Sequence, residues 1–128
     1  MKIEHLAIWV NDLERMRTFY ETYFGAISAN KYYNPSKKFT SYFLDFDDGP
    51  GLELMHRPDI AQKLNGVDEH IGIIHFAISV GSKEKVDELT EQLKETGIKI
   101  IGEPRTTGDG YYESVFLDPE NNRVEITI

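Results

Sequence analysis

The feature that most constrains the fold of this chain is an internal repeat. The segments "EHLAIWV" at 4–10 and "IHFAISV" at 74–80 carry His, Ala, Ile and Val at equivalent places, with a constant offset of 70 residues. Each segment is short and mostly apolar, which is typical of a β-strand. The repeat therefore predicts two similar strands that begin two similar modules.

A helical pattern follows each of these strands. Asn11 or Asp12 can cap the first helix and Ser82 the second, while Gly25 and Gly97 supply residues that end them. The apolar positions at helical spacing are Leu13, Met16, Phe19, Tyr20 and Tyr23 in the first half and Val86, Leu89 and Leu93 in the second. Both halves thus continue from strand to amphipathic helix.

Strand patterns separated by turn residues complete each half. The predicted strands are 26–34, 40–46 and 52–56 in the first half and 98–104, 111–118 and 123–128 in the second. The ends also align, since Phe43-Leu44-Asp45 matches Phe116-Leu117-Asp118 if one extra residue is allowed in the turn. We therefore expect an α+β fold of two βαβββ modules within a single domain, 1–128. Module one is 1–56, the linker is 57–70 and module two is 71–128.

Two histidines and two glutamates occupy equivalent places in these modules. His5 and His75 lie in the first strands, and Glu53 and Glu125 lie between apolar neighbours in the last strands. The spacing from histidine to glutamate is 48 residues in the first half and 50 in the second. A single histidine in a strand is most simply a core residue with one hydrogen bond, but four residues paired by a repeat favour a shared role.

That shared role is metal binding. Side chains alternate along a strand, so in two facing half-barrels all four polar groups can point into one cleft. Two buried carboxylates would repel each other and resist ionisation, and a divalent cation removes both penalties. Two imidazoles and two carboxylates suit one Zn, Ni, Co, Mn or Fe ion without selecting among them. His56 and His70 stand at odd steps from this pattern and are expected at the rim or surface.

Charge and composition exclude several other classes of protein. The net charge of −8 disfavours binding to nucleic acid or to an anionic membrane surface. No apolar run approaches the roughly 20 residues that span a bilayer, and the absence of cysteine removes thiolate ligands and nucleophiles. A cytoplasmic location is the expectation, and the expected partner is a small-molecule substrate.

The two modules resemble the vicinal oxygen chelate superfamily, which includes glyoxalase I, extradiol dioxygenases and the bleomycin and fosfomycin resistance proteins. The most specific matches are "EHLAIWVNDLERMRTFYETYFG" at the start and "VFLDPENNRVEI" at the end. The resemblance implies a cleft-shaped, half-open β-barrel, frequently as a homodimer. It also implies that His5, Glu53, His75 and Glu125 are the full metal-ligand set of glyoxalase I.

Two positions depart from the bacterial glyoxalase I pattern. The place of the arginine that pairs with a glutathione carboxylate is Trp9, and the place of a usual asparagine is Arg57. These departures put glutathione recognition in doubt. We expect Trp9 and Arg57 to contact substrate, together with Tyr111 and Tyr112 at a loop-to-strand entry.

The resemblance implies a lyase or isomerase that moves a proton between adjacent carbons through a metal-bound enediolate. Glu125 is the first candidate base and Glu53 the second, while His5 and His75 hold the ion. Two alternatives stay open: a metal-dependent oxygenase or thiol transferase, and a binding or resistance protein without turnover.

Overall fold

A computed structural model describes residues 1–61, 66–69 and 71–128. The chain divides into two compact units, Met1–Gln62 and Lys63–Ile128. His70 lies outside the described residues, so its expected rim position stays a prediction. Neither of the two helices described is long and apolar enough to cross a lipid bilayer.

The first unit contains one helix and five strands. In chain order they are β1 (His5–Trp9), α1 (Leu13–Phe24), β2 (Ile27–Ser28), β3 (Tyr32–Asn34), β4 (Phe39–Asp45) and β5 (Gly51–His56). The sheet order is β1-β5-β4-β2, with β3 also paired to β4. β1 runs parallel to β5, and the other pairs are antiparallel. The single strand expected at 26–34 is thus two short strands, β2 and β3, which both pair with β4.

The second unit repeats this plan. Its elements are β6 (Phe76–Ser79), α2 (Lys83–Glu95), β7 (Ile100–Thr106), β8 (Tyr112–Leu117) and β9 (Arg123–Thr127). The sheet order is β6-β9-β8-β7, again with the first and last strands parallel. Two helices and two mixed sheets confirm the expected α+β class and the βαβββ order.

Both helices begin at the caps that the sequence indicates, and α1 also ends at the expected glycine, whereas the C-cap of α2 is Thr96, one residue before Gly97. The Arg15 amide donates to the Asp12 side chain at the start of α1, and Gly25 ends that helix with φ 64°. The Lys85 amide donates to Ser82 at the start of α2. Each cap satisfies an amide that the first helical turn leaves without an intrahelical partner.

Each helix covers one face of its own sheet. α1 packs on β5 and β4 and α2 on β7 and β8, which buries alternate strand residues. The residues buried between helix and sheet include Leu13, Met16, Phe19, Tyr20, Tyr42, Leu44, Leu52 and Leu54 in the first unit and Val86, Thr90, Leu93, Ser114, Phe116, Val124 and Ile126 in the second. The other face of each sheet is not covered by its helix.

Strand register corrects the alignment of the two halves. Phe43 pairs with Glu53, and Val115 pairs with Glu125. Phe43 is therefore equivalent to Val115, not to Phe116, and the match of Phe43-Leu44-Asp45 to Phe116-Leu117-Asp118 is one residue out. A step of one residue changes the face of a strand, so Phe116 lies on the helix side of its sheet whereas Phe43 lies on the open side. The two hairpins are equal in length, and no extra turn residue is needed.

Candidate functional site

In the first unit, His5 and Glu53 share the sheet face that α1 does not cover. Ala7 pairs with Glu53 in the parallel register of β1 and β5, and His5 stands two residues earlier on the same face. The His5 side chain is 37% exposed, and its Nδ1 contacts the Glu4 carboxylate. Its ring also meets Phe43 edge-on, with 5.2 Å between the ring centroids.

In the second unit, His75 and Glu125 lie together. His75 stands one residue before β6, and its Nε2 is 3.3 Å from the nearer carboxylate oxygen of Glu125. Ala77 pairs with Glu125 as Ala7 pairs with Glu53, so the two units carry the same histidine-to-glutamate register. The His75 side chain is 37% exposed, the same fraction as for His5.

Glu125 is a partly buried carboxylate with charged neighbours. Partial burial raises the pKa of Glu125 above its ordinary value of 4.5, His75 opposes this rise, and the nearby Glu113 adds to it. Glu113 lies two residues before the Val115–Glu125 pair and receives a hydrogen bond from Arg105 at 3.4 Å. Strand alternation in "YYESVFLD" is the signal that could have identified Glu113 as a neighbour of Glu125.

The donor atoms of the His75–Glu125 pair fit a divalent cation. Two ligands bound at about 2.1 Å to one ion stand about 3.0–3.4 Å apart, depending on the coordination angle. The 3.3 Å between His75 and Glu125 falls in that range. Among the described residues, no group of three or more His, Asp or Glu side chains is arranged to hold a metal. Each unit therefore offers a pair of donors.

Trp9 and Arg57 are brought together at the end of the same face in the first unit. The Arg57 guanidinium carbon lies 5.5 Å from the centre of the Trp9 ring, and its Nε donates to Asp59 at 2.5 Å. Trp9 also meets Phe39 edge-on at 6.0 Å. The sequence did not indicate this contact, because Trp9 and Arg57 are 48 residues apart and belong to no repeated pair.

The two tyrosines expected near substrate occupy different positions. Tyr111 is exposed in the loop before β8. Tyr112 donates a hydrogen bond to Asp87 of α2 at 2.7 Å, and Lys83 lies 4.7 Å from its ring centre. Tyr112 is thus on the helix side of its sheet, since it precedes the open-face residue Glu113 by one. Because of this placement, we do not carry Tyr112 forward as a substrate contact.

His56, expected at the rim or surface, is half-buried and lies on the other face of β5 from Glu53. Its Nδ1 is 3.0 Å from the carbonyl oxygen of Val10, on a strand step that alternates away from Glu53 and Met55. This contact ties the end of β5 to the end of β1. His56 is therefore excluded from the candidate donor set.

Comparison with known proteins agrees with this architecture. The model of the Glyoxalase/Bleomycin resistance protein/Dioxygenase superfamily matches residues 2–126. Among curated proteins, the uncharacterized protein YqjT of Bacillus subtilis is 25% identical over 127 residues, which cover 97% of this chain and 96% of that protein.

Solved structures of glyoxalase I share the fold. The trypanothione-dependent enzyme of Leishmania major has a TM-score of 0.78 and 26% identity, over 99% of this chain and 86% of that one. Glyoxalase I of Zea mays has a TM-score of 0.79 and 28% identity, over 98% of this chain and 44% of that one. With a family model that spans nearly its whole length, this chain belongs to the glyoxalase/bleomycin resistance protein/dioxygenase superfamily.

Proposed function

We propose that this protein is a divalent-metal-dependent lyase or isomerase of the glyoxalase I type. Its substrate would be a small molecule that chelates the metal through two oxygens. The observation that carries the proposal is the identical histidine-to-glutamate register in both units, with His75 and Glu125 at 3.3 Å. The superfamily includes glyoxalase I enzymes, and two of them resemble this chain in structure.

In this proposal, His5, Glu53, His75 and Glu125 hold one divalent ion of the Zn, Ni, Co, Mn or Fe series. The bound ion would supply Lewis-acid chemistry, which lowers the pKa of a C–H next to a substrate carbonyl. The two pairs can come from one chain or from two copies in a homodimer, and the ligand chemistry is the same in either case.

Glu125 is the proposed base that moves the proton between adjacent carbons. A general base must lie within reach of the proton that it takes, and the Glu125 carboxylate lies beside His75 on the open face of its sheet. Glu53 is the second candidate, in the equivalent register position. The histidines would hold and orient the ion without proton transfer.

The apolar surroundings of the first pair suit a small organic substrate. Phe43 stands opposite Glu53 and against His5, and Met55 follows Glu53 on the same face. Trp9 closes this row with 40% of its surface exposed. These side chains would exclude water around the reacting carbons and contact the substrate, with Arg57 at the end of the row.

Metal content of purified variants tests the ligand set. Protein dialysed against a limited excess of each candidate metal should retain one ion per chain by elemental analysis, and His5→Ala or His75→Ala should lose it. Glu103→Gln, a change at an exposed strand residue that pairs with Lys94, should retain the ion as the unaltered protein does. Full metal retention by both histidine variants would overturn the proposed site.

A substrate screen tests the chemistry. Hemithioacetals of 2-oxoaldehydes, formed with glutathione and with other thiols, should be isomerised by the metal-loaded protein. Glu125→Gln should abolish turnover while Glu103→Gln preserves it. Turnover that survives in Glu125→Gln removes the assigned base, and retained metal with no turnover of any such substrate favours the binding-protein alternative.

A further inference from the structure

The turn between β4 and β5 contains the exposed dipeptide Asp48-Gly49. The Gly49 amide donates a hydrogen bond to Oδ1 of the Asp48 side chain at 2.8 Å. The backbone nitrogen that follows Asp48 therefore lies beside the carboxyl group of the same residue. Gly49 has φ 99°, a conformation that residues with a side chain rarely adopt, and it carries no Cβ to shield its nitrogen. The turn thus brings a nucleophilic nitrogen to an electrophilic carboxyl carbon.

The chain contains a second Asp-Gly dipeptide with a different arrangement. Asp109-Gly110, in the turn between β7 and β8, is also exposed, and Gly110 has φ 95°. Its amide, however, donates to the Thr107 carbonyl oxygen at 3.0 Å, while the Thr107 hydroxyl donates to the Asp109 carboxylate at 2.5 Å. That hydroxyl is the main reason why the pKa of Asp109 lies below its ordinary value of 3.8. Thr107 thus engages the nitrogen and the carboxylate separately.

We propose that Asp48 is a site of spontaneous isoaspartate formation, and that the local hydrogen bonds direct this modification to Asp48 and away from Asp109. In the first step, the Gly49 nitrogen attacks the carbon of the protonated Asp48 carboxyl group. A new C–N bond forms, the amide proton passes to solvent, and the carboxyl hydroxyl leaves as water. The product is a cyclic succinimide. The step needs no cofactor or oxidant, and proximity of the two groups accelerates it.

Hydrolysis of the succinimide completes the modification. Water adds to either carbonyl of the ring. Cleavage of the new bond, between the Gly49 nitrogen and the side-chain carbon, restores Asp48. Cleavage of the original peptide bond leaves the chain connected through the former side chain and releases the backbone carboxylate. The resulting isoaspartyl residue has an unchanged mass, but it adds a carbon atom to the main chain of the turn.

The strand that follows this turn pairs with the strand of His5. Gly51 begins β5, pairs with His5 of β1, and donates its amide to the Glu4 carbonyl oxygen at 3.0 Å. An additional main-chain carbon just before Gly51 should displace the start of β5 relative to His5. A weaker grip on metal by the modified protein is therefore expected. This consequence rests on the proposed function, whereas the formation of isoaspartate does not.

Peptide mapping of aged protein tests the modification. The full chain is incubated in heavy-oxygen water at mildly acid pH, digested in ordinary water and sequenced by mass spectrometry, because succinimide hydrolysis introduces the heavy oxygen. Asp48 should gain label at least about tenfold faster than Asp109. The ratio should fall in protein unfolded in urea, which loses the hydrogen bonds of both turns. No label at Asp48, or the same ratio in folded and unfolded protein, overturns the proposal.

Substitutions at the two dipeptides identify the reacting groups. Asp48→Glu keeps the charge but lengthens the side chain, so the succinimide cannot form and the label at this position should disappear. Asp48→Asn should form the same ring with loss of ammonia and then gain mass on hydrolysis. The matched control, Asp109→Glu, should leave the label at Asp48 unchanged. Label that persists at position 48 in Asp48→Glu would overturn the assigned ring closure.

Metal analysis separates this inference from the proposed function. The isoaspartyl form, isolated by ion exchange, should retain less metal than fresh protein, and equal retention would overturn the expected effect on β5. Isoaspartate at Asp48 in a protein that never binds metal leaves the modification standing while the proposed function fails. Metal binding and turnover in a protein that forms no isoaspartate at Asp48 leave the proposed function standing while this inference fails.

Discussion

Gly66 lies so close to the turn between β8 and β9 that a side chain has no room there. A Cβ atom at this position would stand 2.0 Å from the carbonyl oxygen of Asn121. Gly66→Ala should therefore lower the free energy of unfolding by about 1–3 kcal/mol, as overpacking does elsewhere. Urea denaturation measures this loss. Gly108→Ala is the matched control, since a Cβ there meets nothing within 4 Å; equal losses in both variants would contradict the steric explanation.

Individual residues also show how far the sequence could predict the candidate site. Alternation predicted which neighbours lie on the opposite face of each strand, and the parallel register of β1 with β5 is what places His5 and Glu53 on one open face. The contact of Arg57 with Trp9 and the gathering of Arg57 with Lys38 depend on how strands pair, which no local pattern contains. The sequence indicated the residues of the repeat and named Trp9 and Arg57, but it did not indicate that these two touch or that Lys38 lies near Arg57.

At the scale of elements, α2 is attached to β8 by a buried pair of hydroxyl groups. Thr90 Oγ1 lies 2.6 Å from the Val86 carbonyl oxygen, to which it can donate a hydrogen bond. The same atom lies 2.6 Å from Ser114 Oγ, and either hydroxyl can be the donor of that bond. The helical stripe of Val86, Leu89 and Leu93 did not indicate this pair, since Leu89 is only half-buried and Thr90 takes the core position. The burial of a polar residue such as Thr90 can be predicted only when its hydrogen-bond partner on the neighbouring strand is known.

Replacement of Thr90 tests this attachment. Thr90→Val keeps the shape but leaves the buried Ser114 hydroxyl without its Thr90 partner, so the free energy of unfolding should fall by about 1–2 kcal/mol. Adding Ser114→Ala should recover part of the loss, because no buried hydroxyl is then left without its partner. Chemical denaturation of the single and double variants measures both values. A double variant less stable than Thr90→Val would show that the hydroxyl pair is not the cause.

The attachment of α1 to β4 should depend on pH. Glu14 accepts hydrogen bonds from Lys31 at 2.8 Å and from the Tyr42 hydroxyl at 3.1 Å, and the bond with Lys31 is the main reason why the pKa of Glu14 lies below its ordinary value of 4.5. A lowered carboxyl pKa in the folded state stabilises the protein above the unfolded pKa, and this contribution is lost as the pH falls through the folded pKa.

Glu14→Gln measures this contribution. The variant should be less stable than the unaltered protein at neutral pH, and the difference should shrink steadily below pH 4.5. Thermal unfolding of both proteins across this range provides the comparison. Glu88→Gln, at an exposed position of α2, serves as the control for general charge effects. A difference that is constant from neutral to acid pH would contradict the assignment.

For the whole molecule, metal binding should stabilise the folded state. A ligand that binds only the folded chain adds about 2.7 kcal/mol to the free energy of unfolding when its concentration is 100 times its dissociation constant. Under the proposed function, a candidate divalent metal should raise the melting temperature, a chelator should reverse the rise, and His75→Ala should show neither effect. Glu103→Gln should respond as the unaltered protein does. An equal rise in His75→Ala would place the metal elsewhere.

The order of elements in the whole chain was the most predictable level of its structure. A repeat with the same order in both halves restricts the arrangement of each half, because each module must bury one face of its strands with its own helix. The alignment error of one residue at Phe43 arose from matching letters across a turn, where spacing carries no face information. The hydrogen-bond register of the strands, which cannot be read from the sequence, corrected this alignment.

The Asp118 turn restricts how this chain can change length over evolution. Its carboxylate accepts from the Glu120 and Asn122 amides at 2.9 Å each, which fixes the phase at which β9 begins. If a single inserted residue shifted the pairing of β9 by one position, every side chain of that strand would move to the opposite face of the sheet. Glu125 would then point toward the helix, and an aliphatic neighbour would take its place on the open face. Insertions of two residues keep the parity. Viable length variants at this hairpin should therefore either enlarge the loop alone or change the strand in even steps.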